Sequence, residues 1–264
     1  MKSTVLPLVA LVLIQAEDLY ALRPFISASD AGIAQPGKIE VEAGIGFQRN
    51  TRGNASKTTS NLPGTVFNTG LTRNLELDIG TGFNLVREKT EGGKRRTLGS
   101  AAETSLTPKL RLFEGEGSIP SVTTEMRLLL PSQRREFLPN GTRSVSFTGV
   151  LIATSEIGPL KSHLNLGGGF SKSPKHARDT IGSFVWAIAG ELAISEKVWL
   201  VAEFRGTSAQ RLLPDNTALA GLVWESRWGI KFDIAGFGGL SRGSDNGGVT
   251  LGLTFAFEAL PWIK

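Results

Sequence analysis

Thr250-Leu251-Gly252-Leu253-Thr254-Phe255-Ala256-Phe257 is the stretch whose reading decides the fold. Sorted by parity, Leu251, Leu253, Phe255 and Phe257, with Val249 ahead of them, share one face of an extended strand, and Thr250, Gly252, Thr254 and Ala256 share the other. One face is apolar and the other small and polar, as expected where a strand has lipid on one side and a lumen on the other. Two aromatics spaced two apart near the end of the chain mark the final strand of an outer-membrane barrel. Thr250, Gly252, Phe255 and Phe257 are the residues expected to be read by the barrel-assembly machinery. A soluble barrel alternates too, so the remainder of the sequence has to separate the two.

The other end of the chain agrees with the membrane. Lys2 precedes an apolar run from Val5 to Ile14 of about ten residues, half of the roughly twenty that a spanning helix needs. Residues 1–21 therefore read as a cleavable signal peptide, cut after Ala21, with Ala16 as the rival site. Beyond it no apolar stretch is long enough for a spanning helix, so a membrane location requires a closed barrel without open sheet edges. The expected place is the outer membrane of a Gram-negative bacterium. Cysteine is absent, which excludes a disulfide framework, a thiol nucleophile and a thiolate metal site.

Period-two segments fill the mature chain. Ile39, Val41, Ala43, Ile45 and Phe47 oppose Glu40, Glu42, Gly44, Gly46 and Gln48, and Leu75, Leu77, Ile79 and Phe83 oppose Glu76, Asp78, Gly80 and Gly82. Similar segments are read at 62–69, 102–113, 121–130, 144–154, 161–170, 183–193, 197–205, 218–225 and 228–237. With the final strand they make about twelve, each near the length a tilted strand needs to cross the hydrocarbon. The fold class is thus all-β, a transmembrane antiparallel up-and-down barrel of about twelve strands, with residues 38–264 forming the barrel. Residues 22–37 form an N-terminal segment that either hangs in the periplasm or folds into the lumen as a plug. Pro108 sits inside one strand and predicts a bulge or a shorter strand there.

The connections sort as a membrane barrel's do. Short turns are read at 71–74, 114–118, 156–159, 195–196 and 226–227, and longer polar loops at 49–60, 87–97, 132–143, 171–179, 206–216 and 241–247. The charges sort as well. The apolar faces of the clear strands carry none, whereas the opposite faces carry Lys109, Arg111, Glu125, Arg127, Glu203 and Arg205 among others. Because a lysine or arginine facing lipid at mid-bilayer costs about 2 to 4 kcal/mol, that division puts the charges inside. The only tyrosine is Tyr20, so an aromatic girdle has to come from Phe and Trp.

Short motifs along most of the mature chain carry a family resemblance. Leu22-Arg23-Pro24-Phe25 with Ser29-Asp30-Ala31, then Gly37-Lys38-Ile39-Glu40-Val41-Glu42-Ala43-Gly44, Gly70-Leu71-Thr72-Arg73-Asn74-Leu75-Glu76-Leu77, Lys109-Leu110-Arg111-Leu112-Phe113-Glu114-Gly115 and His163-Leu164-Asn165-Leu166-Gly167 resemble the bacterial outer-membrane "MetA-pathway of phenol degradation" transporter family. The resemblance implies a barrel of about this size, linked by name to uptake of aromatic or other hydrophobic compounds.

Little in the sequence points to catalysis. His163 and His176 are the only histidines, which leaves few ways to build a metal site or a triad, and none is expected. His163 and Asn165 share an inward face, and with Ser146 or Ser183 they would imitate a hydrolase, but no nucleophile turn accompanies them. A satisfied lumen histidine is the simpler reading. Gly167-Gly168-Gly169 lies within a strand with no helix behind it, so it reads as close packing or curvature and not as a phosphate loop. Neither an enzyme nor a cofactor is expected. The formal net charge of +5 traces to the longer loops, where it suits lipopolysaccharide phosphates or anionic solutes, while no recognisable module supports nucleic-acid binding.

Two classes of function follow. One is a passive channel for small compounds, aromatic or hydrophobic ones included, with Lys109, Arg111, Glu125, Arg127, Glu203 and Arg205 lining the pore. The other is a closed barrel with a structural or adhesive role. The partners expected are outer-membrane lipid and lipopolysaccharide, the assembly machinery and, for the channel, a small solute.

Overall fold

A computed structural model describes residue 25 and residues 28–90, 92–101, 104–130, 145–172, 180–210 and 212–259. The expected signal peptide and both cleavage sites read for it lie outside the described residues, as do His176, Trp262 and the loop read at 132–143. Among the described residues thirteen strands run in chain order: β1 (Lys38–Arg52), β2 (Ala55–Thr72), β3 (Leu75–Lys89), β4 (Arg95–Ala101), β5 (Thr104–Phe113), β6 (Ser121–Leu130), β7 (Ser146–Ile157), β8 (Leu160–Lys172), β9 (Thr180–Ser195), β10 (Val198–Ala209), β11 (Asp215–Glu225), β12 (Lys231–Gly239) and β13 (Gly247–Glu258). Each pairs antiparallel with its neighbours, and pairing of β13 with β1 closes the sheet on itself. Strands β4 and β5 share one partner, β4 covering Phe83 to Lys89 of β3 and β5 covering Leu75 to Gly80. The two occupy a single position in the wall, which makes a closed twelve-strand barrel.

Parity places the faces as the sequence indicates. Ile79, Leu151, Ile188, Ile234 and Leu251 are exposed on the outside, whereas Glu76, Lys109, Glu125, His163, Glu191 and Glu203 are buried within. Most outward aromatics fall into two bands, with Phe67 and Phe204 between them. Phe47, Phe83, Phe147, Phe170 and Phe184 lie toward one end of the barrel, and Trp224, Phe232, Phe255 and Phe257 toward the other. Several stack in pairs, with ring centroids 5.5 Å apart for Phe147–Phe170 and for Trp224–Phe232, and 6.2 Å for Phe255–Phe257. Two bands bounding an apolar zone match the interfacial girdles of a membrane barrel.

The strands run further than the apolar periodicity does. The loop expected at 49–60 is a two-residue turn, Gly53-Asn54, because β1 continues to Arg52 and β2 begins at Ala55. Gly53 has φ of 57°, the left-handed geometry that such a turn requires. Likewise β3 runs to Lys89 and β4 starts at Arg95, and β10 runs to Ala209 and β11 starts at Asp215, so the loops expected at 87–97 and 206–216 shrink. Above the lipid both faces of a strand meet water, so pairing persists where alternation has ended. At the opposite end three of the five short turns stand, with two residues between β2 and β3, β7 and β8, and β9 and β10, whereas those expected at 114–118 and 226–227 extend over 114–120 and 226–230.

The bulge expected at Pro108 is absent. Pro108 pairs opposite Leu77, and the β5–β6 register is the same on either side, although that ladder passes over Thr107 and Pro108. The wall shifts register elsewhere: between Asn61 and Gly64, where both neighbours of β2 slip and the strand holds Leu62 and Pro63, and, near the short-turn rim, between Gly70 and Thr72, Arg111 and Phe113, and Val198 and Trp199. Gly167 and Gly169 have the role expected of close packing. A Cβ at either would run into β7, at the carbonyl oxygens of Gly149 and Phe147.

Candidate functional site: the lumen

Inward residues of the lower lumen, at the end bearing the short turns, meet a segment of the chain's own backbone. Between Ala28 and Pro36 the polypeptide has no strand partner apart from one bridge, Pro36 to Gly70, so its peptide groups need partners from side chains. The barrel supplies them from several strands. Ala28 N donates to Glu203 Oε1 at 2.9 Å, and Ala31 N to Thr154 Oγ1 at 2.8 Å. Thr123 Oγ1 donates to the Ala31 carbonyl at 2.8 Å, and Ala34 N donates to Glu76 Oε2. Asn165 takes both sides of Ser29, accepting from its N–H at 2.8 Å and donating to its carbonyl at 2.9 Å. Ala28 also packs on Ala187 and Ala189, with Phe25 against the same cluster.

Charge reinforces the seat. Asp30 lies between two lysines, Lys109 Nζ at 3.5 Å from Oδ1 and Lys161 Nζ at 3.6 Å from Oδ2. Lys109 also meets Glu76 at 3.7 Å. Nearby, His163 Nε2 pairs with Glu191 Oε1 at 2.9 Å and Nδ1 with Thr154 Oγ1 at 3.0 Å. With a neutral ring protonated on Nε2, His163 donates to Glu191, and the Thr154 hydroxyl donates to Nδ1 while it accepts from Ala31. Every atom of that chain is satisfied. The imitation hydrolase does not form, since Ser146 pairs opposite Leu129 and Ser183 opposite Gly169, away from His163.

The six residues read as pore-lining all face inward, at different heights. Lys109 and Glu203 hold the internal segment. Arg111 is nearer the short-turn rim, 3.0 Å from Glu114. Arg127 pairs with Glu125 at 2.7 Å and Arg205 with Asp215 at 3.7 Å, both toward the long-strand end. Opposite these two arginines the inward register positions are small, Thr148 facing Arg127 and Ala187 and Thr217 facing Arg205, with Gly169 beyond Thr148, whereas on the far wall the Phe237 ring lies over Gly248. One sector is acidic, where Asn68 Nδ2 donates to Glu40 at 3.2 Å and to Glu42 at 2.5 Å. Another is apolar, with Val201, Leu219, Val223 and Ala235 buried on β10 to β12. Among the described residues, no group of three or more His, Cys, Asp or Glu is arranged to hold a metal ion.

Sequence reasoning placed Glu76 and Asn165 on inward faces but did not see what they hold, and it overlooked Lys161. Strand parity with His163 and Asn165 would have found that lysine. Of the residues read as an assembly signal, Thr250 and Gly252 face inward, Gly252 against the Asp233 carboxyl, while Phe255 and Phe257 stack on the outside.

No family model matches the sequence, and no curated protein matches it either. Solved structures do match the fold. The COG4313 outer membrane channel from Pseudomonas putida F1 aligns with a TM-score of 0.66 at 10% identity, over 88% of this chain and 99% of that one. The beta domain of the Bordetella autotransporter BrkA aligns with a TM-score of 0.54 at 8% identity, over 84% of this chain and all of that one (100%). The translocator domain of the autotransporter NalP from Neisseria meningitidis aligns with a TM-score of 0.52 at 12% identity, over 83% and 87% of the two chains. At these identities the likeness is one of fold, that of an outer-membrane β-barrel.

Proposed function

We propose that the protein is an outer-membrane channel for passive uptake of small compounds, aromatic or hydrophobic ones among them, and that its N-terminal segment stoppers the lumen. The observation that carries this reading is the contrast between the two halves of the interior. An eight-stranded barrel is about filled by its own side chains, and twelve strands enclose more. Here the lower lumen is occupied by the segment from Ala28 to Pro36, whereas in the upper wall the positions facing Arg127 and Arg205 are Thr148, Ala187 and Thr217, with Gly169 beyond Thr148. Side chains of that size leave room for a solute, and the apolar sector of β10 to β12, at and below the height of Glu203, suits a compound with an apolar body that passes once the segment has left. Likeness in fold to the COG4313 outer membrane channel supports the channel reading. The basic residues near the long-strand end, such as Lys57, Lys89 and Arg95, suit contact with lipopolysaccharide phosphates.

Reversal potentials in a salt gradient test the role of the arginines. Arg127→Ala and Arg205→Ala should each lower the anion preference of the protein freed of its N-terminal segment, and unchanged potentials would remove these residues from the solute path. The closed structural barrel remains the second reading, favoured by the number of bonds that fasten the segment across the lumen. On that reading no variant conducts.

A further inference from the structure

Asp30 is held as a ligand would be. Its two carboxylate oxygens go to different cations on different strands, Oδ1 to Lys109 of β5 and Oδ2 to Lys161 of β8. A local turn, in which Gly32 N donates to Oδ1 at 3.1 Å, presents the group to both. Neither lysine depends on Asp30 alone, since Glu76 lies 3.7 Å from Lys109 and Glu156 lies 3.7 Å from Lys161. Glu156 is the weaker partner, with a side chain 58% exposed and screened by water. The contact between Asp30 and Lys109 is in contrast withdrawn from water, the Lys109 side chain being 2% exposed. Asp30 belongs to a segment tied to the barrel by hydrogen bonds to side chains and by one isolated bridge, not by a paired strand, so it can leave without breaking the wall.

We infer that Lys109 and Lys161 form a binding site for the carboxylate group of small solutes, and that Asp30 occupies it as a tethered substitute. This rests on the reading of the N-terminal segment as a stopper. A solute carboxylate and Asp30 compete for the same two ammonium groups, so arrival of the solute frees the segment and the compound opens its own path. A group on a short flexible tether acts at an effective concentration in the millimolar range, and the hydrogen bonds on either side of Asp30 raise that value, so a free carboxylate competes from above the millimolar range.

The absence of cysteine supplies a clean reporter. Ser29, buried beside Asp30, is changed to Cys, and its maleimide labelling rate is followed in refolded full-length protein. Sodium acetate, which reproduces the aspartate side chain, is titrated against sodium chloride at equal ionic strength and against acetamide. Acetate should raise the rate about tenfold over the competition range, with chloride and acetamide leaving it near its starting value. Lys161→Gln in the same background should abolish most of the acetate response. Equal rates in acetate and chloride, or an acetate response that survives Lys161→Gln, would overturn the site. If Ser29→Cys does not fold, hydrogen exchange at Ala31 of the unsubstituted protein makes the same comparison with the same deciding outcomes. Conductance plays no part in this readout, so failure of the carboxylate site and failure of the channel reading are separately visible.

Discussion

Asn165 grips Ser29 by both of its peptide groups, accepting the N–H at 2.8 Å and donating to the carbonyl at 2.9 Å, so that one side chain takes the place of a neighbouring strand. A primary amide offers a donor and an acceptor side by side, which is the pattern an extended residue presents to its sheet partner. The internal segment is thereby ordered without being woven into the wall.

Replacing that side chain should loosen the segment and spare the barrel. Asn165→Leu leaves two buried peptide groups without partners, a loss of about 2 kcal/mol or more for the seated state. Hydrogen exchange followed by mass spectrometry should show residues 28–36 exchanging roughly thirtyfold faster, in keeping with that energy, with the strands unchanged. An equal loss of protection throughout β7 to β9 would mean that Asn165 supports the wall instead.

Gly70 offers a steric test of the same seat. A Cβ there would collide with the carbonyl oxygens of Ala34 and Gln35, while Gly37 N donates to the Gly70 carbonyl at 3.1 Å. Gly70→Ala should therefore push the segment off the wall where it enters. Limited proteolysis before residue 38 should become faster in the variant, and an unchanged rate would show that the segment is not pressed against β2.

The two faces of the wall should differ in their tolerance of charge. Ile79→Lys and Leu251→Lys place an ammonium on the outer face and should each destabilise the folded barrel by about 2 to 4 kcal/mol when the site lies near mid-bilayer. Thr250→Lys, on the inner face, should cost far less. Urea titrations in lipid vesicles, read by tryptophan fluorescence, measure the difference; similar penalties on both faces would contradict the lipid-facing assignment.

The closing strand supplies a test of assembly. Phe257 stacks on Phe255 outside the barrel and pairs opposite Ile39 of the first strand. Phe257→Asp should prevent recovery of the heat-modifiable form from the outer-membrane fraction. Normal recovery would separate this strand from the assembly signal.

What the sequence made legible was whatever lipid imposes. Alternation at Ile39 to Phe47 and at Leu75 to Leu85 follows from one face meeting hydrocarbon, so the strands and their inward charges could be read from parity alone. Arg49 to Arg52 and Ala55 to Ser60 also form strand, but in water on both sides, and their mixed polar sequence resembles a loop. The irregularity at Leu62-Pro63 was equally hidden, whereas Pro108, the proline that drew attention, stays in register. The seating of Asp30 was beyond reach for a different reason. Its partners, Lys109 and Lys161, are far away in sequence, and only closure of the barrel brings them together.

Planar-bilayer recording of the refolded mature protein, with and without residues 22–35, tests the central claim most directly. The account predicts small or rare openings for the intact chain and a steady, stepwise conductance once the segment that binds Glu76, Thr123, Thr154, Asn165 and Glu203 is gone. A truncated barrel that folds, inserts and still passes no current would contradict the channel and leave the closed structural barrel in its place.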